Sequence, residues 1–301
     1  MNNSDHEQNI TVQYCFPDNN SSCIKELHTP TNLLILSLAV ADLLVGLFVM
    51  PVNIMQLIDS CWYLGQIACW IYPIINEVSL LASLYSLIFI AVDRYVAICD
   101  PLLYSTKMTV CKTILVVILG WSFALFYIII FFYFNGHFLQ SQISTQCYGE
   151  CALVINYSWV ITDLVLTFLA PCSIILILYS VIFHVARHQA KAVRAVINGA
   201  SNTHEAKVSS ASETKAAKKL GTLIFIYLAC WIPYYFSSFS VESLTSLSMV
   251  WTVFSWLIYI NSSINPFMYA IFYSWFRKSA KYIVTCRILE SSSARFNLSR
   301  A

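Results

Sequence analysis

The most constraining feature of the sequence is a set of six long apolar stretches. A membrane span needs about 20 mostly apolar residues, and backbone in contact with lipid must satisfy its own hydrogen bonds, which favours helices. None of the stretches alternates with the period of two that a membrane β-barrel requires. The six predicted spans are Asn32–Met55, Ile67–Val96, Thr113–Phe134, Val154–His184, Leu220–Val241 and Met249–Phe272.

Composition agrees with a chain that lies mostly in lipid. Hydrophobic residues make up 58% of the chain and charged residues only 11%, whereas soluble domains carry about 25% charged residues. The net charge of +2 provides no basic surface for nucleic acid. We therefore predict an all-α, polytopic membrane helical bundle.

The basic residues predict the orientation of the bundle. Of the 17 Lys and Arg residues, all except Lys25 lie within or at the edge of two connections or in the C-terminal tail. The other three connections, around Asp59, Glu150 and Leu244, contain none. Since Lys and Arg are retained on the cytoplasmic side, we expect a multi-pass plasma-membrane protein with a cytoplasmic C-terminus.

The N-terminal tail, residues 1–30, conflicts with this count. Six spans place both termini in the cytoplasm, yet the tail contains Cys15, Cys23 and four glycosylation sequons, which are typical of an extracellular segment. The simplest resolution is a seven-helix protein whose first helix is missing between Cys23 and His28. The sequons begin at Asn2, Asn9, Asn19 and Asn20.

Three short motifs lie in order at matching membrane depths. The sequence DRY (Asp93–Tyr95) ends the second span, CWIPY (Cys230–Tyr234) lies within the fifth, and NPFMY (Asn265–Tyr269) ends the sixth. Each motif alone is weak evidence. Together with Asp42 and Trp121, they make the chain from about residue 28 onward resemble a rhodopsin-like G-protein-coupled receptor.

The end of the last span narrows the resemblance. The run Asn261–Phe276 is similar to the fingerprint of the trace amine-associated receptors, which resemble biogenic amine receptors. This resemblance implies a small-amine ligand, an olfactory role and coupling to a stimulatory G protein. It also implies three regions: a tail at 1–30, a receptor domain at 31–273, and an amphipathic helix with a cytoplasmic tail at 274–301.

The resemblance also implies a set of residues that switch the receptor. Arg94 would pair with Asp93 and with Glu213, which lies five helical turns before Trp231. Pro233 and Pro266 each remove a backbone hydrogen bond and allow their helices to pivot. The full set is Asp93, Arg94, Tyr95, Tyr179, Glu213, Tyr227 (usually Phe in the family), Pro233, Pro266 and Tyr269.

Three acidic residues, Asp42, Glu77 and Asp163, lie inside predicted spans, and no Lys or Arg lies in any span interior. A charge at the bilayer centre costs about 2.5–3.5 kcal/mol even on the most lenient scale. Each acid therefore needs a polar cavity, a proton or an external cation. A protonated structural carboxyl remains the alternative for Asp163 and Glu77.

For Asp42, the resemblance implies a sodium pocket of hard oxygen ligands below Trp231. The missing first helix would normally contribute an Asn to this network, which puts the sodium affinity in question. The implied sodium ligands are Asp42, Ser83, Asn261 and Asn265.

For Asp163, position and resemblance together predict an amine site. It precedes Pro171 by eight residues, about 12 Å along a helix, toward the extracellular side. Amine receptors usually place their ammonium-binding Asp five turns before the DRY arginine, where this chain has Asn76. The chain resembles a subgroup of fish trace amine receptors that use an Asp on the fifth family helix, so Asp163 is the predicted counter-ion.

Aromatic side chains and a second acid would complete the amine site. Aromatic faces attract ammonium groups, although ordinary packing is the alternative explanation for them. Glu77, one residue after Asn76, is either a second anion for a diamine or points elsewhere. The predicted ligand-binding residues are Asp163, Asn76, Glu77, Thr167, Trp231, Tyr234, Tyr235, Trp256 and Tyr259.

Six cysteines fall on the predicted extracellular side, where disulfides are stable, and several pairings are open. The resemblance favours Cys69 with Cys151. It also favours Cys15 with Cys147 and Cys23 with Cys61, both of which require an extracellular tail. Cys99, Cys111, Cys172 and Cys230 are predicted to be free, and Cys286 is either a palmitoylation site or an ordinary surface thiol.

Three other functions compete with an amine receptor. A six-span channel or transporter fits the topology, but no re-entrant filter, inverted repeat or voltage-sensor helix is present. No protease motif indicates an intramembrane enzyme, so we expect no catalysis and no cofactor beyond sodium. A truncated receptor that folds poorly and does not signal is the remaining alternative.

Overall fold

The structure is a computed structural model, and it describes only part of the chain. The chain divides into two compact units, Pro30–Met268 and the combination of Met1–Thr29 with Tyr269–Ala301. The described residues are 29–58, 62–136, 151, 157–199, 221–222, 224–236, 249–272, 277, 281 and 285.

Within the described residues the backbone forms long helices and no strand. By length and composition, four of these helices can cross a membrane, and the shorter apolar helix Ile224–Phe236 accompanies them. The all-α prediction is confirmed, and every one of these helices overlaps a predicted span. The helices are α1 (Pro30–Ile58), α2 (Gly65–Cys99), α3 (Val110–Phe134), α4 (Tyr157–Asp163, Leu164–Leu169 and Ala170–Gly199), α5 (Ile224–Phe236) and α6 (Met249–Phe272).

Two of these helices contain a π-helical turn, Val45–Val49 in α1 and Leu164–Leu169 in α4. Each turn ends two residues before a proline, Pro51 or Pro171. Proline has no N–H to donate, and its ring clashes with the carbonyl one turn earlier. A wider turn removes that clash, and such turns are frequent at functional sites. Here they lie next to two of the membrane acids, Asp42 and Asp163.

Helix α2 is the centre of the larger unit, since it packs against α1, α3 and α4 and has the largest buried share. Polar side chains join the first three helices in the apolar core. The Ser37 hydroxyl lies 2.9 Å from that of Ser86, and the Trp121 indole donates to Ser37 at 3.0 Å. Hydrogen bonds of this kind take the place of hydrophobic burial as the specific contact between helices in lipid.

A close contact between α2 and α3 depends on Gly120. A Cβ atom placed there would lie 3.0 Å from Phe89 Cε2. We expect Gly120→Val to lower stability by about 1–3 kcal/mol because it overpacks this contact. The thermal unfolding midpoint of detergent-purified protein measures the effect. Gly46→Ala is the control, because a Cβ at Gly46 meets nothing within 4 Å, and equal midpoints would contradict the prediction.

In the other unit, the described tail residues are Arg277, Lys281 and Thr285. The Thr285 backbone N–H and side-chain hydroxyl both donate to the Lys281 carbonyl, at 3.0 and 2.7 Å. This bond across four residues is one turn of helix, at the place where the sequence predicts an amphipathic helix.

Candidate functional site: a carboxylate held by two tyrosines

The Asp163 carboxylate is held in place by hydroxyl groups from two other helices. Tyr127 of α3 donates to Oδ1 at 3.1 Å, and Tyr235 of α5 donates to Oδ2 at 3.3 Å. Thr167, one turn further along α4, lies 2.7 Å from the Tyr235 hydroxyl and donates to the Asp163 backbone carbonyl. Each carboxylate oxygen can accept two hydrogen bonds, so each keeps acceptor capacity for a ligand.

The aromatic residues of α5 form a continuous wall beside Asp163. The Trp231 ring stacks on Tyr235 with centroids 6.0 Å apart, and Tyr234 meets both rings edge-on. Tyr227, predicted as the altered aromatic switch, stacks on Trp231 at 5.2 Å. The structure thus brings together Trp231, Tyr234 and Tyr235 of the predicted site.

A second polar group surrounds Glu77 on α2. The Asn76 side-chain amide donates to Glu77 Oε1 at 3.1 Å. Tyr259 of α6 interacts with both residues, and Trp256 packs edge-on against Tyr259 at 5.8 Å. Glu77 also interacts electrostatically with Asp163. The two parts of the predicted ligand site are therefore coupled electrostatically.

A disulfide anchors the N-terminal end of α2. Cys69 and Cys151 are bonded, with Cα atoms 5.7 Å apart, so this predicted pairing is confirmed. The four cysteines predicted to be free, Cys99, Cys111, Cys172 and Cys230, are free in the structure. The predicted pairs Cys15–Cys147 and Cys23–Cys61 lie outside the described residues.

The predicted sodium pocket is a buried polar cluster around Asp42. The Asn265 amide donates to Asp42 Oδ2 at 2.9 Å, while Asp42 Oδ1 and the Ser83 hydroxyl have no hydrogen-bond partner among the described residues. Asn261 and Ser262 are buried as well. Buried polar atoms are normally satisfied, so these unpartnered oxygens fit a hard cation or water.

The predicted switch near the C-terminal end of α2 is built around Asp93, which has no exposed surface. Its carboxylate pairs with the Arg94 guanidinium and accepts hydrogen bonds at 2.8 Å from Thr31 of α1 and from Tyr104. Tyr104 lies in a short helical turn after α2. Burial raises the pKa of the Tyr104 phenol, and the Asp93 charge also raises it, so the phenol remains a donor.

The remaining switch residues are only partly described. Tyr95, Pro233 and Pro266 lie in α2, α5 and α6, and Tyr179 is half-buried on α4. Tyr269 is placed by its backbone in α6. Glu213, Cys286 and the sequon residues Asn2, Asn9, Asn19 and Asn20 lie outside the described residues.

Some residues that make contacts in these clusters are absent from the sequence prediction. Tyr127 is the most important, since it is one of the two phenols that hold Asp163. Thr31 and Tyr104 hold Asp93. No motif marks them, because each acts through a contact with another helix. For Tyr127, the available signal was that a phenol inside an apolar helix requires a hydrogen-bond partner.

Comparison with known proteins gives consistent matches. The sequence model of a family described as "7 transmembrane receptor (rhodopsin family)" matches residues 21–269. Trace amine-associated receptor 13c of Danio rerio is 40% identical over 280 residues, covering 91% of this chain and 82% of the relative. Trace amine-associated receptor 6 of Homo sapiens is 39% identical over 287 residues, covering 91% and 81%.

A longer alignment shows that a relative has residues that this chain lacks. Trace amine-associated receptor 6 of Pan troglodytes is 34% identical over 339 positions, covering 96% of each chain. Because this chain has 301 residues, at least 38 of those positions have no counterpart in it. That is more than the roughly 20 residues that one membrane span requires.

Proposed function

Since the chain belongs to the trace amine-associated receptors of the rhodopsin family, which are receptors and not enzymes, we propose that it binds small amines through Asp163 and signals through a stimulatory G protein. An olfactory role is part of the proposal, because the fingerprint at Asn261–Phe276 resembles olfactory members. The family match favours this function over a channel or transporter.

The observation that carries the proposal is the geometry of Asp163. Tyr127 and Tyr235 fix the carboxylate from opposite oxygens, so it is oriented before a ligand arrives. No Lys or Arg of the sequence lies in a span interior to neutralise it. A carboxylate in a low-dielectric site binds a cation far more strongly than one in water. The amine would supply the missing positive charge.

Asn76 supports the use of Asp163 rather than a residue on α2. Asn76 stands where amine receptors usually have their ammonium-binding Asp, and its amide donates to Glu77. An asparagine is neutral and supplies no charge for a salt bridge. The ammonium group is therefore expected near α4 and α5, with the aromatic faces of Trp231 and Tyr235 beside it.

Signal transfer would use the cluster on Asp93. Thr31 and Tyr104 hold the carboxylate, and the carboxylate holds Arg94. Breaking these contacts frees Arg94 to meet a G protein. Glu213 is proposed as a further partner of Arg94 in the resting state. A sodium ion held by Asp42, Ser83, Asn261 and Asn265 would supply positive charge next to Asp42 and favour that state.

The remaining assignments concern regions outside the bundle. We propose a plasma-membrane receptor with domain boundaries at residues 30 and 273 and a cytoplasmic C-terminus carrying a palmitoylated Cys286. We expect glycans on the tail only if the tail is extracellular. The same condition applies to the disulfides Cys15–Cys147 and Cys23–Cys61. A truncated chain that reaches the surface poorly and does not signal is the second candidate, supported by the 339-position alignment.

The proposal is tested by exposing cells that express the chain to a panel of small primary amines. We expect a concentration-dependent rise in cAMP in these cells and none in mock-transfected cells. Membrane current is recorded in parallel. A current that is independent of amine would favour the channel, and an absence of cAMP despite surface protein would favour the non-signalling receptor.

A further inference from the structure

One face of helix α4 ends in a polar side chain that the proposed mechanism does not use. The buried residues Ile175, Ile182 and Ala186 follow one another on α4 at intervals of seven and four residues, which places them on the same face of a helix. Gln189 comes three residues after Ala186, continues this face and is half-buried. A polar amide at the end of an apolar face loses free energy unless it has a hydrogen-bond partner.

The partner of Gln189 is the backbone of α2. Its side-chain Nε2 donates to the Ile98 carbonyl at 3.2 Å. Ile98 is the next-to-last residue of α2 and is 4% exposed. The last four carbonyls of a helix have no donor within that helix. Helix α4 therefore supplies, from a position 91 residues away in the chain, a donor that α2 lacks.

Pro101 explains why α2 ends at this point. Proline has no N–H to continue the helix, and the residue before a proline is disfavoured in the helical conformation. Asp100 accordingly leaves that conformation, with φ −129° and ψ 58°. The Gln189 bond thus holds the backbone two residues before the break in the helix.

The segment after the break is a closed turn that carries Tyr104. The Leu103 amide donates to the Asp100 carbonyl at 3.0 Å, and the Lys107 ammonium group pairs with the Asp100 carboxylate at 2.7 Å. The Tyr104 hydroxyl donates to Asp93 at 2.8 Å. Because the turn is closed by its own contacts, a displacement of its first residue also displaces Tyr104.

We propose that Gln189 is a positioning residue for the switch: its hydrogen bond to the Ile98 carbonyl keeps α4 on the end of α2 and thereby keeps Tyr104 on Asp93. When α4 moves away from α2, this bond breaks and the turn loosens its hold on Asp93. Because α4 also carries Asp163, the bond links the candidate amine site to the switch through a single helix. The effect on signalling rests on the proposed receptor function, whereas the contact itself does not.

Amide hydrogen exchange in detergent-purified protein tests the contact without any signalling. Gln189→Leu removes the donor, and we expect the amides of residues 98–107 to exchange about 2- to 10-fold faster, the value of one ordinary hydrogen bond. Gln189→Glu keeps the size of the side chain, removes the donor and places a negative charge at the negative end of α2, so exchange should be at least as fast. Gln189→Lys retains N–H donors that can bind a terminal carbonyl and should restore slow exchange.

A charge-matched control separates this contact from a general effect of charge. His188→Glu changes an exposed residue of the same helix and should leave the exchange of residues 98–107 unchanged. The unfolding midpoint of each variant shows that it folds. If Gln189 only fills space, Gln189→Glu will exchange like the unmodified chain, and that result would overturn the proposal. Equal acceleration in Gln189→Glu and Gln189→Lys would overturn it as well.

Ligand-independent cAMP tests the link between Gln189 and the switch. Gln189→Leu and Tyr104→Phe should each raise it about 2- to 10-fold, the value of one lost hydrogen bond. The double variant should rise no further than the larger single effect, because both changes release the same carboxylate. Independent effects, which multiply in the double variant, would contradict the link. A failure of every amine on the unmodified chain would instead overturn the receptor function, and hydrogen exchange would still decide the role of Gln189.

Discussion

Asp163→Asn is expected to abolish the amine response, with a loss of potency of at least about 100-fold. Asparagine keeps the size of the side chain and can still pair with Tyr127 and Tyr235, so the fold should persist. What disappears is the negative charge, and removing one partner of a buried, hydrogen-bonded charge pair costs about 2–5 kcal/mol, which is on the order of 100-fold or more in potency. The measurement is the amine concentration for half-maximal cAMP, normalised to surface protein.

Tyr127→Phe is a milder change at the same carboxylate. It removes one of the two hydroxyls on Asp163 and leaves the charge and the Tyr235 contact in place. Potency should fall only about 3- to 10-fold, in line with one ordinary hydrogen bond. Tyr133→Phe is the matched control, because Tyr133 lies on the same helix and is 66% exposed. A full response in Asp163→Asn would show that the amine binds elsewhere.

The helices were predictable because apolar length alone specifies them in a membrane. All six predicted spans overlap described helices, and Met249–Phe272 coincides at both ends. The π-helical turns were not predicted, although each precedes a proline. A proline indicates that the ladder of hydrogen bonds must change, but whether the helix kinks or widens depends on neighbouring helices that the sequence does not identify.

The candidate site was predictable where its residues carry charge. Asp163 and Glu77 stand out in the sequence because an acidic side chain inside a membrane span is energetically costly and therefore indicates a functional site. The structure adds Tyr127, which no periodicity distinguishes from the many aromatic residues of α3. Thr31 and Tyr104 could not be predicted for the same reason. Their hydroxyls are 73 residues apart in the chain, and both donate to Asp93. Such a contact exists only once the helices have packed.

On the six-span topology predicted from the sequence, insertion of one apolar helix between Cys23 and His28 is expected to move the N-terminal tail from the cytoplasm to the outside of the cell. The six predicted spans would place both termini on one side of the membrane, and the distribution of basic residues predicts that this is the cytoplasmic side. A seventh span placed before the others would move only the N-terminal tail to the opposite side of the membrane. An epitope at the N-terminus should therefore be stained on intact cells only after the insertion, and the sequons should then become glycosylated.

The same insertion is expected to raise total receptor several-fold, since a change of about 1–2 kcal/mol in stability alters cellular abundance by that factor. The Asp42 cluster is the physical reason, because Asp42 Oδ1 and the buried Ser83 hydroxyl, both unpartnered among the described residues, would gain a neighbouring helix. A Gly/Ser insert of equal length is the control, as it cannot span the membrane. Strong staining of the tail on intact cells without any insertion would contradict the predicted six-span topology, because the tail would then already be outside the cell.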